Sequence, residues 1–310
     1  MNPGRYHILT DRITQSAAPF RPFHPTARYL ARTEVHVFAF SIAASVLLSL
    51  FPFLNVMASF SWYVLKWPDA LYAIQFAVTE YFPGELGGIL YSYIRFPAHI
   101  EYVSLLLLMF TANGIFEPLE VALNRAWGVT KDRSYLKNQF LSFLLILLCG
   151  ALALTSFLLT AINREYLARH FGVDGETTRW AAILLFRLVA VTMTMLALFL
   201  TYWLLPNCRV PVRRIAPVAC LVGLALTGLQ YLAVLVWTWI IAKMKHDYGP
   251  FAHSASIILF SFLASLIVLA GAEWSARRPE KEKTLPVELD VVPPRIPTPA
   301  VPDPQAKPLE

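Results

Sequence analysis

Charge is what this chain has least of. Only 15% of its 310 residues are Asp, Glu, Lys or Arg, where a soluble domain carries roughly a quarter. With 57% apolar residues and a mean hydropathy of +0.54, that scarcity excludes an ordinary soluble globule. Cysteine is scarce too. Cys149, Cys208 and Cys220 sit in or beside apolar runs without CxxC spacing, which argues against a disulfide framework or a zinc site. Nucleotide loops, nucleophile elbows and HExxH patterns are missing. Almost nothing lies outside the apolar runs to house soluble-type catalysis, so we expect no enzyme and no cofactor. A cleavable leader is not expected either. Residues 1–34 hold five arginines and lack the roughly 7–15-residue apolar core with a small-residue cleavage site.

What is present is a set of long apolar runs. They predict an all-α integral membrane fold, a six-transmembrane-helix bundle with spans near 35–65, 102–123, 140–162, 180–205, 215–241 and 254–272. The first exceeds the ~20 residues that a bilayer core requires, so tilt or a kink is expected. Pro52 supplies one by freeing the carbonyl of Leu48. Ala70–Phe82 and Leu86–Phe96 mix aromatic and polar residues and predict short interfacial helices in the first outer loop, a re-entrant hairpin being the alternative. Residues 1–34 form an arginine-rich cytoplasmic arm near the lipid surface. Residues 277–310, with nine prolines, cannot bury enough surface to fold and predict a disordered cytoplasmic tail.

The +6 net charge flanks the spans, so it concerns orientation in a membrane and not nucleic acid. With both termini inside, eighteen Lys and Arg fall in inner segments and seven in outer ones, as the positive-inside rule requires.

The stretch Phe110–Arg133 carries the candidate chemistry. Asn113, Glu117, Glu120 and Asn124 fall within a sector of about 60° on one helix face. Gly114 and Pro118 lie in the same stripe and, with Pro52, are hinge candidates. The two carboxylates sit ~22 and ~27 Å down a helix entering at Tyr102, close to the inner boundary of a ~30 Å core. There they need partners or a hydrated vestibule. Arg125, Lys131, Arg133, Arg209, Arg213 and Arg214 are within the adjoining loops. Two readings follow: an ion-paired latch that holds the inner face together, or a gate responding to a cation or proton. Arg187 lies ~10 Å inside its span; it either snorkels outward or faces the interior towards an anionic group or a carboxylate. Gln230 is either a helix–helix hydrogen bond or a pathway ligand. Glu273 lies just beyond the last span. Ser41, Ser45, Ser49, Asn55 and Ser59 make a small polar stripe on the first span, for close packing or for the wall of a pathway. His246, Asp247 and His253 have no fixed metal-ligand spacing, and no metal is expected.

Several ordered pieces carry a resemblance: SLFPFL (Ser49–Leu54), FEPLEVALNRAW (Phe116–Trp127), LPN (Leu205–Asn207), the RRIAPVACLVGL that follows, DYGPFA (Asp247–Ala252) and LAGAEWSA (Leu269–Ala276). In order and spacing they resemble the YihY/virulence factor BrkB family of bacterial inner-membrane proteins over about Glu34–Ala276. The resemblance implies six helices with both ends cytoplasmic, links to virulence or serum resistance, and a transport or envelope-lipid role. Members have also carried a ribonuclease label. Metal-assisted RNA cleavage wants converging carboxylates in an accessible basic cleft, which two glutamates at a membrane boundary do not provide.

The expectation is therefore a transporter or translocator of a small solute or envelope lipid in the bacterial inner (cytoplasmic) membrane. The polar stripes of the first, second, fifth and sixth spans would line its route. The rival is a non-transporting scaffold for envelope or virulence-related partners. Expected partners are membrane lipids, the unidentified solute or lipid, and a second copy of the chain in a homo-oligomer, with no nucleic acid.

Overall fold

The structure, a computed structural model, describes residues 24–82, 84–94, 102–129, 133–170 and 176–277. The expected arm at 1–23 and tail at 278–310 lie outside the described residues. Among the described residues nine α-helices follow in order: α1 (His24–Leu30), α2 (Thr33–Ser59), α3 (Pro68–Tyr81), α4 (Glu85–Ile94), α5 (Tyr102–Trp127), α6 (Tyr135–His170), α7 (Glu176–Leu204), α8 (Val212–Tyr248) and α9 (Ala252–Ala276). Among the described residues there is no strand. Five stretches are long and apolar enough to cross a membrane. The last of them, Val212–Ala276, is 65 residues long and is broken by a 3-10 turn at Gly249–Phe251 into α8 and α9.

The local sequence explains where the helices stop. α3 opens on Pro68, whose missing N–H is no loss in a first turn. α5 ends in a Schellman motif: Val129 N–H donates to the Asn124 carbonyl at 2.8 Å and Gly128 N–H to the Arg125 carbonyl at 3.2 Å. Gly128 adopts φ +70° there, a conformation glycine reaches without a Cβ penalty. α6 and α8 run to 36 and 37 residues, or ~55 Å, well past the apolar spans predicted for them. Their flanking polar residues are good helix formers, so the helices outlast the hydropathy.

The six long helices form a ring. Each of α5 to α9 packs on the next, and α2 closes the ring between α5 and α9. One half is packed solid. Its core draws Ala39 from α2, Leu119 and Leu123 from α5, Leu145 from α6, Tyr202 from α7, Val222 from α8 and Leu269 from α9. Tyr202 is wholly buried and donates to the Val268 carbonyl at 2.7 Å. This half contains the arginine-rich loops, and α1 lies across its end against α9 and α2. Thr26 of α1 is buried, so the last part of the expected surface arm is a docked helix.

The other half is built differently. Its core unites α2, α3, α4, α6 and α9, and among the described residues no fully buried member comes from α7 or α8. Those helices expose Leu188, Leu235 and Trp239, while α3 and α4 pack into the bundle. α3 buries Ala70, Leu71, Ala73, Ile74, Gln75, Ala77 and Val78, an arc of about 200° at helical spacing. An interfacial helix buries one apolar face. This hairpin, expected in the first outer loop, packs as a wedge against α2 and α6. Above Ser59, α2 widens into a π-helical turn, Phe60–Val64, which the sequence pattern did not signal.

Candidate functional site

Glu120 and Asn124 sit one turn apart at the arginine-rich end of α5, and both are buried. Asn124 Nδ2 donates to Glu120 Oε1 at 3.4 Å. Its Oδ1 accepts the backbone N–H of Asn207 at 2.8 Å. Asn207 belongs to the LPN turn leaving α7, and its own Oδ1 accepts from Arg133 Nε at 3.2 Å. The Arg133 guanidinium also donates to the Leu204 and Pro206 carbonyls at 3.4 and 3.0 Å. FEPLEVALNRAW and LPN, 83 residues apart at their contact, are therefore two sides of one polar joint. The Schellman turn fixes the backbone of Asn124, which leaves its side chain free to clasp the neighbouring turn.

Asn113 and Glu117 make a second pair on the same stripe. Asn113 Nδ2 donates to Glu117 Oε2 at 2.8 Å, and Ser142 of α6 donates to Asn113 Oδ1 at 3.5 Å. Here Glu117 is exposed and Asn113 half-buried. The four residues share an angular sector, yet they join different neighbours: one pair the turn after α7, the other α6. Two of the arginines expected beside these carboxylates, Arg125 and Arg133, make other contacts. Arg125 pairs with Glu34 and lies 5.6 Å from the Phe38 ring, while Arg133 serves the LPN turn. Lys131 lies outside the described residues.

The hinge candidates sit in continuous helices. At Gly114 a Cβ would collide with Ser45 Oγ, so this glycine allows α2 and α5 to touch. The serine stripe shares that seam. Asn55 donates to Ser104 of α5 at 2.9 Å, and Ser59 donates to Asn55 at 3.5 Å. Ser45 and Asn55 of the stripe thus pack α2 on α5, in line with the close-packing reading.

Glu273 binds α1 to the end of α9. It accepts Thr26 Oγ1 at 3.0 Å and both Nε and Nη2 of Arg277 at 2.8 Å. Burial and the nearby Glu273 carboxylate raise the Tyr29 phenol above its ordinary value. Arg187 is exposed; it donates to Tyr231 Oη at 2.8 Å with its guanidinium 5.1 Å from that ring. It thus bridges α7 to α8.

Two cavities flank the wedge. One, of about 350 Å3, lies between α8, α9 and the α3–α4 junction, and Gln230 and Ser261 are its polar members. The other, of about 400 Å3, is walled by α2, α3, α6 and α7, with Ser156 and Thr194 among apolar neighbours. Phe82 lines both.

At that same end lies a cluster that periodicity did not reveal. Lys245 of α8 reaches both Glu85 oxygens, at 2.7 and 2.8 Å, and His253 Nε2 of α9 is 3.4 Å from Glu85 Oε2. The hydrogen bond from Lys245 holds the Glu85 carboxyl below its ordinary value, with His253 adding to it. Asp247 pairs with Lys243 instead. Among the described residues no three His, Cys, Asp or Glu side chains group to hold a metal. The only signal for the cluster was the turn chemistry around it: Pro83-Gly84 precedes Glu85, and Gly249-Pro250 separates Lys245 from His253.

A family model described as Virulence factor BrkB matches residues 26–289. Among curated relatives, a UPF0761 membrane protein of Chromohalobacter salexigens is 28% identical over 79% of this chain and 60% of its own length. One from Chlorobium luteolum is 27% identical over 88% of this chain and 64% of its own. The chain thus spans less than two thirds of these two relatives. One from Vibrio atlanticus is 23% identical over 91% of this chain and 89% of its own. No solved structure matches.

Proposed function

The chain belongs to the virulence factor BrkB family of membrane proteins, and from that premise we propose that it translocates an envelope lipid, or a small solute of similar amphipathic character, at the bacterial inner membrane. In this reading α2 and α5–α9 are six spans, and the arginine-rich end, with both termini, faces the cytoplasm. The distribution of Lys and Arg supports that orientation. The observation that carries the function is the pair of cavities meeting at Phe82. Their walls are apolar with a few hydroxyls and one amide. That lining suits acyl or prenyl carbon better than a hydrated ion. Arg187 and Gln230 would meet a polar head on the way, and Glu117 would respond to a cation or proton.

The test is flux in reconstituted vesicles, read with a fluorescent anionic phospholipid. Filling the cavities with Ala153→Trp or Ala233→Trp should cut transfer at least tenfold while the protein still elutes folded. Unchanged transfer in both variants refutes the reading. Glu117→Gln with Glu120→Gln should also abolish it.

A second reading is a non-transporting scaffold for envelope partners. Glu120 supports it, because its carboxylate is buried in the joint between α5 and the turn after α7. The scaffold predicts that the double glutamine variant loses stability with no flux to lose, and that removing residues 277–310 releases partners.

A further inference from the structure

We propose that the arginine-rich end of the bundle holds a binding site for a phosphate ester, in the pocket between α1, α2 and α5. The pocket has a volume of about 380 Å3, and Arg28, Tyr29, Arg32, Arg125, Glu34 and Glu273 are its polar lining. The charges in it are not equivalent. Glu34 is taken up by Arg125, and Glu273 by Arg277 and Thr26. Arg28 and Arg32 are exposed, and among the described residues neither side chain has an ion pair or a hydrogen bond. Two guanidinium groups four residues apart thus border a recess whose acids are already neutralised. A guanidinium presents a planar fork of donors matched to phosphate oxygens.

Two further features give the site its direction and its size. α2 starts at the pocket wall, and Arg32 at its N-cap supplies no capping hydrogen bond. The positive end of a 27-residue helix therefore faces the same recess, a setting that favours anions. The volume far exceeds a bare phosphate, and Val35, Phe38 and Ala122 add an apolar wall. A phosphate carrying a small organic group fits that combination better than the inorganic ion. The same chemistry has two sources, the headgroup of an anionic lipid in the adjoining leaflet or a soluble phosphate ester. The site does not depend on translocation, since a scaffold would present it equally.

The experiment uses the full chain in neutral detergent, titrated calorimetrically with glycerol 3-phosphate and separately with dioctanoyl phosphatidylglycerol. Dioctanoylglycerol, which lacks phosphate, is the blank. The wild type should bind at least one phosphate probe and not the blank. Binding of the soluble ester identifies a soluble ligand; binding of the lipid alone identifies a headgroup. Arg28→Gln with Arg32→Gln should weaken binding at least tenfold, while Arg209→Gln with Arg213→Gln, outside the pocket, should leave it unchanged. If the glutamine pair does not fold, Arg28→Lys with Arg32→Lys keeps the charge and should bind several-fold more weakly than wild type. No binding of either probe, equal loss in both glutamine pairs, or full affinity in the lysine pair overturns the site.

Discussion

Replacing Asn124 with leucine tests the polar joint directly. The two side chains share a branched outline and leucine is the bulkier, so the change opens no cavity, and overpacking adds to the cost of the lost hydrogen bonds. Asn124 accepts the Asn207 N–H at 2.8 Å, and Leu205 and Pro206 beside that turn are buried. Leaving a buried donor unmatched costs about 1–3 kcal/mol. The bond to Glu120 is long, at 3.4 Å, and contributes about 0.5 kcal/mol at the weak end of the range. The lost hydrogen bonds alone therefore set the expected loss for Asn124→Leu at about 1.5–3.5 kcal/mol. Reversible unfolding in mixed detergent micelles, followed by circular dichroism, measures it. Asn124→Asp keeps the acceptor but sets a second carboxylate beside Glu120, so its penalty at neutral pH should shrink on acidification. Arg133→Gln combined with Asn124→Leu should cost less than the two changes added, because both act on one turn. A loss under about 0.5 kcal/mol for Asn124→Leu, the level of an ordinary surface change, would refute the joint.

Other outcomes follow from particular contacts. Gly114→Ala should destabilise by about 1–3 kcal/mol through overpacking, and Ser45→Gly in the same chain should recover most of it; no recovery would mean that the glycine serves bending instead. Gly271→Ala should also destabilise, because its Cβ would stand 2.6 Å from Tyr202 Oη, whereas Tyr202→Phe should cost only about 1 kcal/mol for its hydrogen bond; unfolding curves in micelles rank the two. Glu85 has a lowered pKa, so its stabilising contribution is complete above the ordinary value of 4.5 and fades as pH falls through the lower folded value. Stability against pH in wild type and Glu85→Gln should differ at neutral pH and converge in acid; parallel curves would show that the clasp does not hold α4.

The long helices and their breaks were legible because they are local. Apolar runs, Pro68, Gly128 and Gly249 act within a few residues, and the structure follows them. What distinguishes Glu117 from Glu120 is not local. Helical periodicity sets both on one face within about 60°, but whether that face meets α6 or the LPN turn depends on how the ring closes. The serine stripe left two readings open for the same reason. Its spacing defined a face of α2, and only packing decides whether that face meets α5 or a cavity. Residues 68–94 were harder to place for another reason. Their prolines, glycines and mixed polarity suggest a surface, yet α3 buries an arc of about 200° against α2 and α6.

The two ends of the ring are held by interactions of different strength. At the arginine-rich end, Asn124, Asn207 and Arg133 join in hydrogen bonds within a packed core, and breaking each costs about 1–3 kcal/mol. At the other end, Glu85 ties α4 to Lys245 and His253, with the Glu85 and Lys245 side chains 64% and 46% exposed. Such exposed pairs contribute little and weaken with salt. The π-helical turn at Phe60–Val64 adds a register irregularity on this side, where such turns can shift at low cost. The weaker ties therefore lie beside Phe82 and α4, and the stronger ones at the Asn124 joint. The polar residues most conspicuous in the sequence lie at the more tightly joined end. They hold the ring closed there while the apolar cavities form at the other end.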